Sequence, residues 1–204
     1  MAQITAKDIS FFRGERPIFS HIDFSIDSWE LILIKGPSGS GKTTLLRVLW
    51  WLLSEQSSTL IRSYSERERI KTCGFHFVDG PFLEYLTVEE NLLLLEMFSG
   101  IVLSREYLLE LAKKFGLEAL LSRKVSSLSS WQRERVSFIR SFLHKPEIIF
   151  LDEPGSNLDE LMGNKIKKFL LEELEKGKSL VLSSHADYWD KYAKTIIELP
   201  LYES

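Results

Sequence analysis

The chain has 204 residues, enough for one substantial domain, and its 44% apolar and 27% charged residues are ordinary for a soluble globular protein. A formal net charge of −3 leaves no basic excess for neutralising phosphates, which argues against a nucleic-acid partner. A single cysteine excludes an intramolecular disulfide, the N-terminus lacks the pattern of a secretory signal, and no stretch approaches the ~20 apolar residues of a membrane span. We therefore expect a soluble chain.

The first part of the chain reads as strands followed by one helix. Alternating apolar and polar residues predict strands at QITAKDISFF and PIFSHIDFSI, joined by a turn at RGERP. The apolar run ELILIKG predicts a buried parallel strand that ends at a glycine. Helical periodicity follows at once in GKTTLLRVLWWLL.

The middle of the chain changes from strand to helix. CGFHFV predicts another buried strand. TVEENLLLLEMF and SREYLLELAKKFG then predict two helices, opened by capping boxes at Thr87–Glu90 and at Ser104.

The last third alternates strand and helix. EIIFLDEP and SLVLSSH predict two more buried strands, and each is followed by helical sequence. The alternation of strand and helix predicts an α/β fold with a mainly parallel sheet. The helix-rich stretch at about 83–128 is interpreted as an insertion into this fold.

One glycine-rich segment carries a phosphate-binding pattern. GPSGSGKT, Gly36–Thr43, matches G-x-x-x-x-G-K-[ST] between a predicted strand and a predicted helix. Glycines let the backbone N–H groups face a β-phosphate, Lys42 adds positive charge, and the Thr43 hydroxyl is a ligand for Mg²⁺. A plain glycine-rich turn does not account for the whole pattern with both flanks, so we predict a nucleotide site. The residues predicted to contact the nucleotide here are Gly36, Pro37, Ser38, Gly39, Ser40, Gly41, Lys42, Thr43 and Thr44.

An acidic pair at the end of a later strand complements the loop. IIFLDEP (148–154) is an apolar strand that delivers Asp152 to its carboxyl end, where ligands of open α/β sheets bind. We predict that Asp152 holds Mg²⁺ through water and that Glu153 polarises the attacking water as a general base. The position, 110 residues after Lys42, makes this short motif specific.

Taken together, these motifs resemble the ATP-binding subunits of ABC transporters in order and spacing. The resemblance covers nearly the whole chain and rests on Gly36–Thr43, Leu128–Gln132, Asp152–Glu153, SNLD (156–159) and His185. It implies ATP and Mg²⁺ as cofactors and a head-to-tail dimer that sandwiches two ATP molecules.

The resemblance also implies a domain plan and two further roles. One ABC-type domain would span residues 1–204, with a P-loop core, an N-terminal antiparallel β subdomain and a helical subdomain at about 83–143. Asp159 would lie in the loop that communicates across the dimer. His185 would be the switch histidine that contacts the γ-phosphate, so Lys42, Glu153 and His185 form the predicted catalytic set.

The signature that binds the other subunit's γ-phosphate is altered. The family usually has Leu-Ser-Gly-Gly-Gln, and this chain has Leu128-Ser129-Ser130-Trp131-Gln132. A capping box from Ser129 to Gln132 is compatible with this role, because a capped helix N-terminus is itself an anion site, and we predict that both residues contact nucleotide. Trp131 puts an indole where the family has a hydrogen atom, so either the ring turns aside or it weakens closure of the sandwich. The resemblance thus leaves slow or conditional hydrolysis open.

Two other positions depart from the family pattern. The glutamine that usually links Mg²⁺ to the membrane partner is replaced by Val78, with Asp79 beside it. The residue that stacks on adenine falls on Phe12 or Arg13, either of which can stack, although Phe12 equally suits strand packing.

The leading hypothesis from the resemblance is a cytoplasmic ATPase subunit, peripheral at the membrane, that powers a permease on a separate chain. Phe82, Leu83 and Tyr85 are candidates for facing that permease, with ordinary core packing as the alternative for each. The short chain is similar to the haem-handling ATPase of cytochrome c maturation, and small lipoprotein-release or lipid-transport ATPases remain equal contenders.

Two alternatives stay open at this point. Trp131 and Val78 favour a degenerate pseudo-ATPase that regulates an active homologue, whereas Lys42, Glu153 and His185 oppose it. A soluble ABC-type ATPase working on nucleic acid or ribosomes is opposed by the negative charge and by the absence of sustained heptads. The locally basic stretch 62–71 contains two glutamates and is interpreted as a solvated loop.

Overall fold

The computed structural model of the protein describes residues 4–50, 57–62, 65, 68–77 and 80–201. Its strands are β1 (Ile4–Arg13), β2 (Arg16–Ile26), β3 (Leu31–Lys35), β4 (Ser57–Arg62), β5 (Cys73–His76), β6 (Ile148–Asp152), β7 (Ser179–Ser183) and β8 (Thr195–Glu198). Its α-helices are α1 (Lys42–Leu49), α2 (Arg69–Thr72), α3 (Val88–Ser99), α4 (Arg105–Lys114), α5 (Ser130–Arg140) and α6 (Glu160–Glu175). Short 3₁₀ turns lie at Glu118–Leu120, Val125–Ser127 and Asp187–Trp189.

A parallel sheet forms the centre of the described structure. Its strand order is β5-β6-β7-β3-β8, and every neighbouring pair runs parallel. All residues of β6 and β7 are buried, as expected for central strands covered on both faces. The predicted α/β fold with a mainly parallel sheet is confirmed.

Side chains on the two faces of this sheet enter two different cores. Period-2 alternation sends residues such as Leu33, Leu151 and Leu182 into a core shared with α3 to α6. Their strand neighbours Ile34 and Val181 enter a second core, shared with α1 and the N-terminal strands. The strands of this sheet are almost wholly apolar because both faces of the sheet are covered, so that side chains pointing to either face are buried.

The N-terminal strands form a separate antiparallel sheet in the order β2-β1-β4. Both strands predicted there are confirmed, with bulges where the register between β1 and β2 shifts. Sequence reasoning missed β4 and β8, which are short and lie outside the alternating patterns used to find strands. The end of the stretch interpreted as a loop, 62–71, overlaps the one-turn helix α2, Arg69–Thr72.

The inserted helices begin at side-chain caps. Thr87 and Glu90 form the predicted capping box of α3. At α4 the prediction of a capping box is wrong. The Ser104 hydroxyl accepts from the Tyr107 N–H, but a box also needs a Glu or Gln in place of Tyr107, whose side chain would accept from the Ser104 N–H. Helices α3, α4 and α5 all fall within the predicted helical subdomain at 83–143, whose limits remain our proposal. Within the described chain, no helix combines the length and hydrophobicity needed to cross a bilayer.

His76 on β5 is fully buried between the sheet and α5. Its Nδ1 lies 3.2 Å from the hydroxyl oxygen of Ser137, and its ring meets Phe138 edge-on. Burial, reinforced by the nearby charge of Arg140, lowers the pKa of His76 to about 3. The ring is therefore neutral at physiological pH.

This burial predicts a pH-dependent stability. A folded-state pKa below the unfolded value means that the unfolded chain takes up the proton first, so stability is lost as pH falls below about 6.5. As pH falls from 7 to 5, the free energy of unfolding should decrease by about 2 kcal/mol because of His76. The substitution His76→Gln should abolish this decrease. Urea titrations at both pH values measure it, with the exposed His21→Gln as control. An unchanged pH dependence in His76→Gln would contradict the account.

Candidate nucleotide site

Three adjacent strands bring the predicted site residues to one edge of the parallel sheet. The register pairs Asp152 at the end of β6 with Ser183 at the end of β7, and Ser183 with Ile34 near the end of β3. The segments that follow these strands carry the phosphate loop, Glu153 and His185. Elements far apart in sequence therefore meet at the carboxyl edge, where ligands of such sheets bind.

The phosphate loop depends on glycine backbone conformations. Gly39 and Gly41 have φ values of 82° and 96°, in the left-handed region, and Gly41 is the N-cap of α1. A Cβ on Gly41 would lie 2.7 Å from Cγ2 of Ile18 on β2, so a side chain is excluded by contact as well as by φ. The crest of the loop, Pro37 to Gly39, is exposed, whereas Ser40 is buried. The loop thus presents its backbone to solvent at the start of a helix.

Lys42 lies inside this curl with its ammonium at the centre of the site. Its Nζ donates to the carbonyl oxygens of Gly36 and Pro37 at 3.0 and 3.2 Å. The same atom lies 3.0 Å from Nε2 of His185 and 3.5 Å from Oε1 of Glu153. Only 6% of the Lys42 side chain is exposed, so a buried positive charge faces the place predicted for phosphate.

Thr43 and Asp152, the two residues predicted to hold Mg²⁺, are hydrogen-bonded to each other. The Thr43 hydroxyl donates to Oδ2 of Asp152 at 2.8 Å, and the carboxylate is mostly buried. Its other oxygen, Oδ1, accepts from the hydroxyl of Ser183 at 2.8 Å. That same hydroxyl accepts from the backbone N–H of Glu153 at 3.0 Å. Ser183 thus orients both acidic residues.

Ser183 was missed by sequence reasoning. The available signal was its place two residues before His185 at the end of an apolar strand. That signal could identify it only once the strand neighbours were known, because its partners lie on β6.

Glu153 and His185 meet at the opening of the site. Oε1 of Glu153 lies 2.9 Å from Nε2 of His185, which also faces the ammonium of Lys42. Glu153 has a left-handed φ of 44°, an uncommon backbone state for a residue other than glycine. The structure therefore brings Lys42, Thr43, Asp152, Glu153 and His185 together as predicted.

The altered signature forms the start of α5. Ser129 is the N-cap: its hydroxyl accepts from the Gln132 N–H at 3.3 Å, and its own N–H donates to Oε1 of Gln132 at 2.9 Å. This is the predicted capping box. It leaves the N–H groups of Ser130 and Trp131 without an intrahelical acceptor, as at any helix start. The signature is therefore an exposed helix N-terminus.

Trp131 as a whole residue is 56% exposed. It lines a cleft of about 610 Å³ together with Pro81, Phe82, Glu84 and Asn157. The cleft lies between α5 and the segment that follows β5, and Arg133 on α5 forms a two-pronged ion pair with Glu84 at 2.5 and 2.7 Å. A large ring therefore stands at the surface where the family has no side chain.

The remaining predicted residues lie around this centre. Phe12 and Arg13 are the last two residues of β1 and pair with Pro17 and Arg16 of β2. The next residue of β2, Ile18, lies against Gly41 of the phosphate loop. Thr44 follows Thr43 in the first turn of α1. Asp159 is the N-cap of α6 and accepts from the Met162 N–H at 2.9 Å. Val78 and Asp79 lie outside the described residues.

Comparison with known proteins gives a consistent result. The sequence profile of the ABC transporter family matches residues 19–156. A Staphylococcus aureus (strain MRSA252) protein named as a hemin import ATP-binding protein, HrtA, is 31% identical over 212 residues, covering 96% of each chain. The chain belongs to the ABC transporter family as an ATP-binding subunit.

Solved structures agree with the family assignment. A dimeric bacterial ABC transporter cassette matches with a TM-score of 0.85 and 28% identity, covering 97% of this chain and 94% of that one. A cassette in a post-hydrolysis state with ADP and Pi matches with a TM-score of 0.83 and 27% identity, covering 98% and 97%. An ATP-binding subunit of an ABC transporter, at a TM-score of 0.87 and 24% identity, shares the fold over 97% of this chain and 85% of that one. This ABC subunit is an ATPase, and the regulatory alternative is not favoured.

The signature geometry generates a prediction about Trp131. Trp131→Gly should raise steady-state ATP turnover at high protein concentration, by roughly 10-fold or more, because glycine permits a phosphate to approach the helix N-terminus. Phosphate release measures it, and Trp29→Gly is the control, since that exposed tryptophan contacts Gly177 and not the signature. Equal turnover in Trp131→Gly and wild type would show that the indole already turns aside.

Proposed function

We propose that this ABC subunit binds magnesium-ATP at the carboxyl edge of its parallel sheet. In a dimer of ATP-binding subunits it hydrolyses that ATP, and so drives a permease on a separate chain. The observation that carries the proposal is the convergence of Lys42, Glu153 and His185 within 3.5 Å, beside the hydrogen bond from Thr43 to Asp152.

The donor set fits Mg²⁺. Thr43 contributes a hydroxyl oxygen and Asp152 a carboxylate, the hard ligands that this ion prefers, and Ser183 fixes the carboxylate. Among the described residues no group of three or more His, Cys, Asp and Glu side chains converges, which is compatible with an ion held mainly by phosphate oxygens and water. When bound, Mg²⁺ would neutralise charge on the β- and γ-phosphates.

Three side chains have distinct tasks in this proposal. Lys42 exchanges its present acceptors for phosphate oxygens, which removes one partner of His185 and of Glu153. Glu153 is then free to orient and polarise the attacking water, and His185 is free to donate to the γ-phosphate. Glu153 and His185 both lie next to the Lys42 ammonium, so each needs only to separate from the other to reach a phosphoryl group bound there.

The proposed partners use two exposed surfaces. The α5 N-terminus at Ser129 and Gln132 would face the nucleotide of a second ATP-binding subunit, as in the dimeric cassette. Leu83 and Tyr85 are exposed and flank the Trp131 cleft, which supports a permease-facing role. Phe82 instead packs against the core and under the Arg140 guanidinium, 4.5 Å from its ring centre. Phe12 or Arg13 would stack on adenine.

Relatives named for hemin import support a cargo of the hemin class. The permease would bind the cargo, and this chain would supply the energy. Hemin-dependent stimulation of ATP turnover by the subunit together with its permease in lipid vesicles would support this cargo. Turnover indifferent to hemin would contradict it.

Hydrolysis by the purified subunit tests the central role of Glu153. Glu153→Gln should lower kcat by roughly 10²-fold or more while ATP binding stays unchanged, because the amide cannot accept a proton but keeps the side chain's shape. Phosphate release and equilibrium ATP binding are the two measurements.

The matched control is Glu118→Gln, on an exposed residue of the 3₁₀ turn Glu118–Leu120. Full turnover by Glu153→Gln would contradict the proposed base, and parallel loss of ATP binding would indicate a structural role instead.

A further inference from the structure

Lys35 connects the end of β3 to the segment that carries His185. It is the last residue of β3 and directly precedes the phosphate loop. Its Nζ donates to Oδ1 of Asp187 at 2.8 Å and to Oδ1 and Oδ2 of Asp190 at 3.0 and 2.9 Å. The Lys35 side chain is 21% exposed, whereas the Asp187 side chain is 90% and the Asp190 side chain 40% exposed. The three bonds therefore lie at the surface, and the lysine is restricted by having two carboxylate partners rather than by burial.

The aspartates bracket a short 3₁₀ turn, Asp187–Trp189, that begins two residues after His185. Trp189, the last residue of this turn, is buried, whereas the side chain of His185 is 48% exposed. The backbone adds one link, since the Ser184 N–H donates to the Ile34 carbonyl at 3.2 Å. The segment that carries His185 is therefore fixed before the histidine by the pairing of β7 with β3, and after it by the contacts of Lys35 with Asp187 and Asp190.

The two lysines that flank the phosphate loop hold the same segment differently. Lys42 contacts the imidazole of His185 itself, and in the proposed function this contact is given up when Lys42 binds phosphate. Among the described residues, the Lys35 ammonium is hydrogen-bonded to Asp187 and Asp190 and not to the imidazole, and these two aspartates need not move for a nucleotide to enter. The Lys35 contacts are therefore the ones that persist when His185 must find the γ-phosphate.

We propose that Lys35 is a positioning residue for His185: by clamping Asp187 and Asp190 it fixes the turn that aims the imidazole at the γ-phosphate. The inference rests on the proposed function, since it assigns His185 to that phosphate. Hydrogen bonds from Lys35 to Asp187 and Asp190 raise the pKa of the lysine to about 12, so the clamp stays charged under assay conditions.

Kinetics provides the first test. Lys35→Met should lower kcat roughly 10- to 100-fold, the cost of a misplaced catalytic group, and leave the affinity for ATP within about 2-fold. Lys35→Arg, which keeps the charge, should recover most of the loss, and Asp190→Asn should reproduce part of it. Lys194→Met is the matched control, because Lys194 forms an ion pair with Glu30 away from His185.

A double-mutant cycle separates positioning from general stability. In a His185→Ala background, Lys35→Met should cause no further loss of kcat, because the residue it positions is gone. An additional loss of the same size as in wild type would overturn the proposal, as would a Lys35→Met enzyme with unchanged kcat.

A spectroscopic measurement on His185 tests the positioning role of Lys35 independently of ATP turnover. The imidazole resonance of His185, assigned among the four histidines by its disappearance in His185→Ala, is recorded with a bound non-hydrolysable ATP analogue. Lys35→Met should shift or broaden this resonance, whereas Lys194→Met should not, and an unchanged resonance would overturn the proposal. If wild type bound the analogue but did not hydrolyse ATP, the proposed function would fail while this test of Lys35 still stood.

Discussion

The register of three parallel strands is the constraint on which the site depends. Because Asp152 pairs with Ser183 and Ser183 with Ile34, the ends of β6, β7 and β3 lie side by side. Backbone hydrogen bonds and two separate apolar cores hold that register from both faces. A one-residue slip of β7 would send its side chains to the opposite face and separate the Ser183 hydroxyl from Asp152.

The same constraint explains why a charged centre is tolerated. The ammonium of Lys42 is buried, and an isolated buried charge is costly. Here it has two carbonyl acceptors, a carboxylate and an imidazole around it. These groups satisfy the lysine without nucleotide, and a triphosphate can replace them because each is only a modest partner compared with phosphate.

Much of the fold and site could be predicted from sequence, for a physical reason. The phosphate loop, the acidic pair and His185 each sit at the end of an apolar strand, so local pattern and chemistry coincide. The capping box at Ser129 was equally predictable, since it involves residues three apart. By contrast, the roles of Ser183 and Lys35 depend on partners more than 30 residues away, and no local pattern reports such contacts.

The signature shows where local pattern and family pattern diverge. Ser129 and Gln132 preserve the capped helix start, so the fold does not require glycine between them. Glycine at this place would permit close approach of a ligand, and the capped helix start forms without it.

The claim that the carboxyl edge holds magnesium-ATP is tested most directly by calorimetric titration of the purified subunit. Wild type should bind ATP more tightly with Mg²⁺ than without it, and Lys42→Ala should lose most of that affinity, whereas the exposed Lys7→Ala should not. ATP binding by Lys42→Ala equal to that of wild type would contradict the account, because the nucleotide would then lie elsewhere.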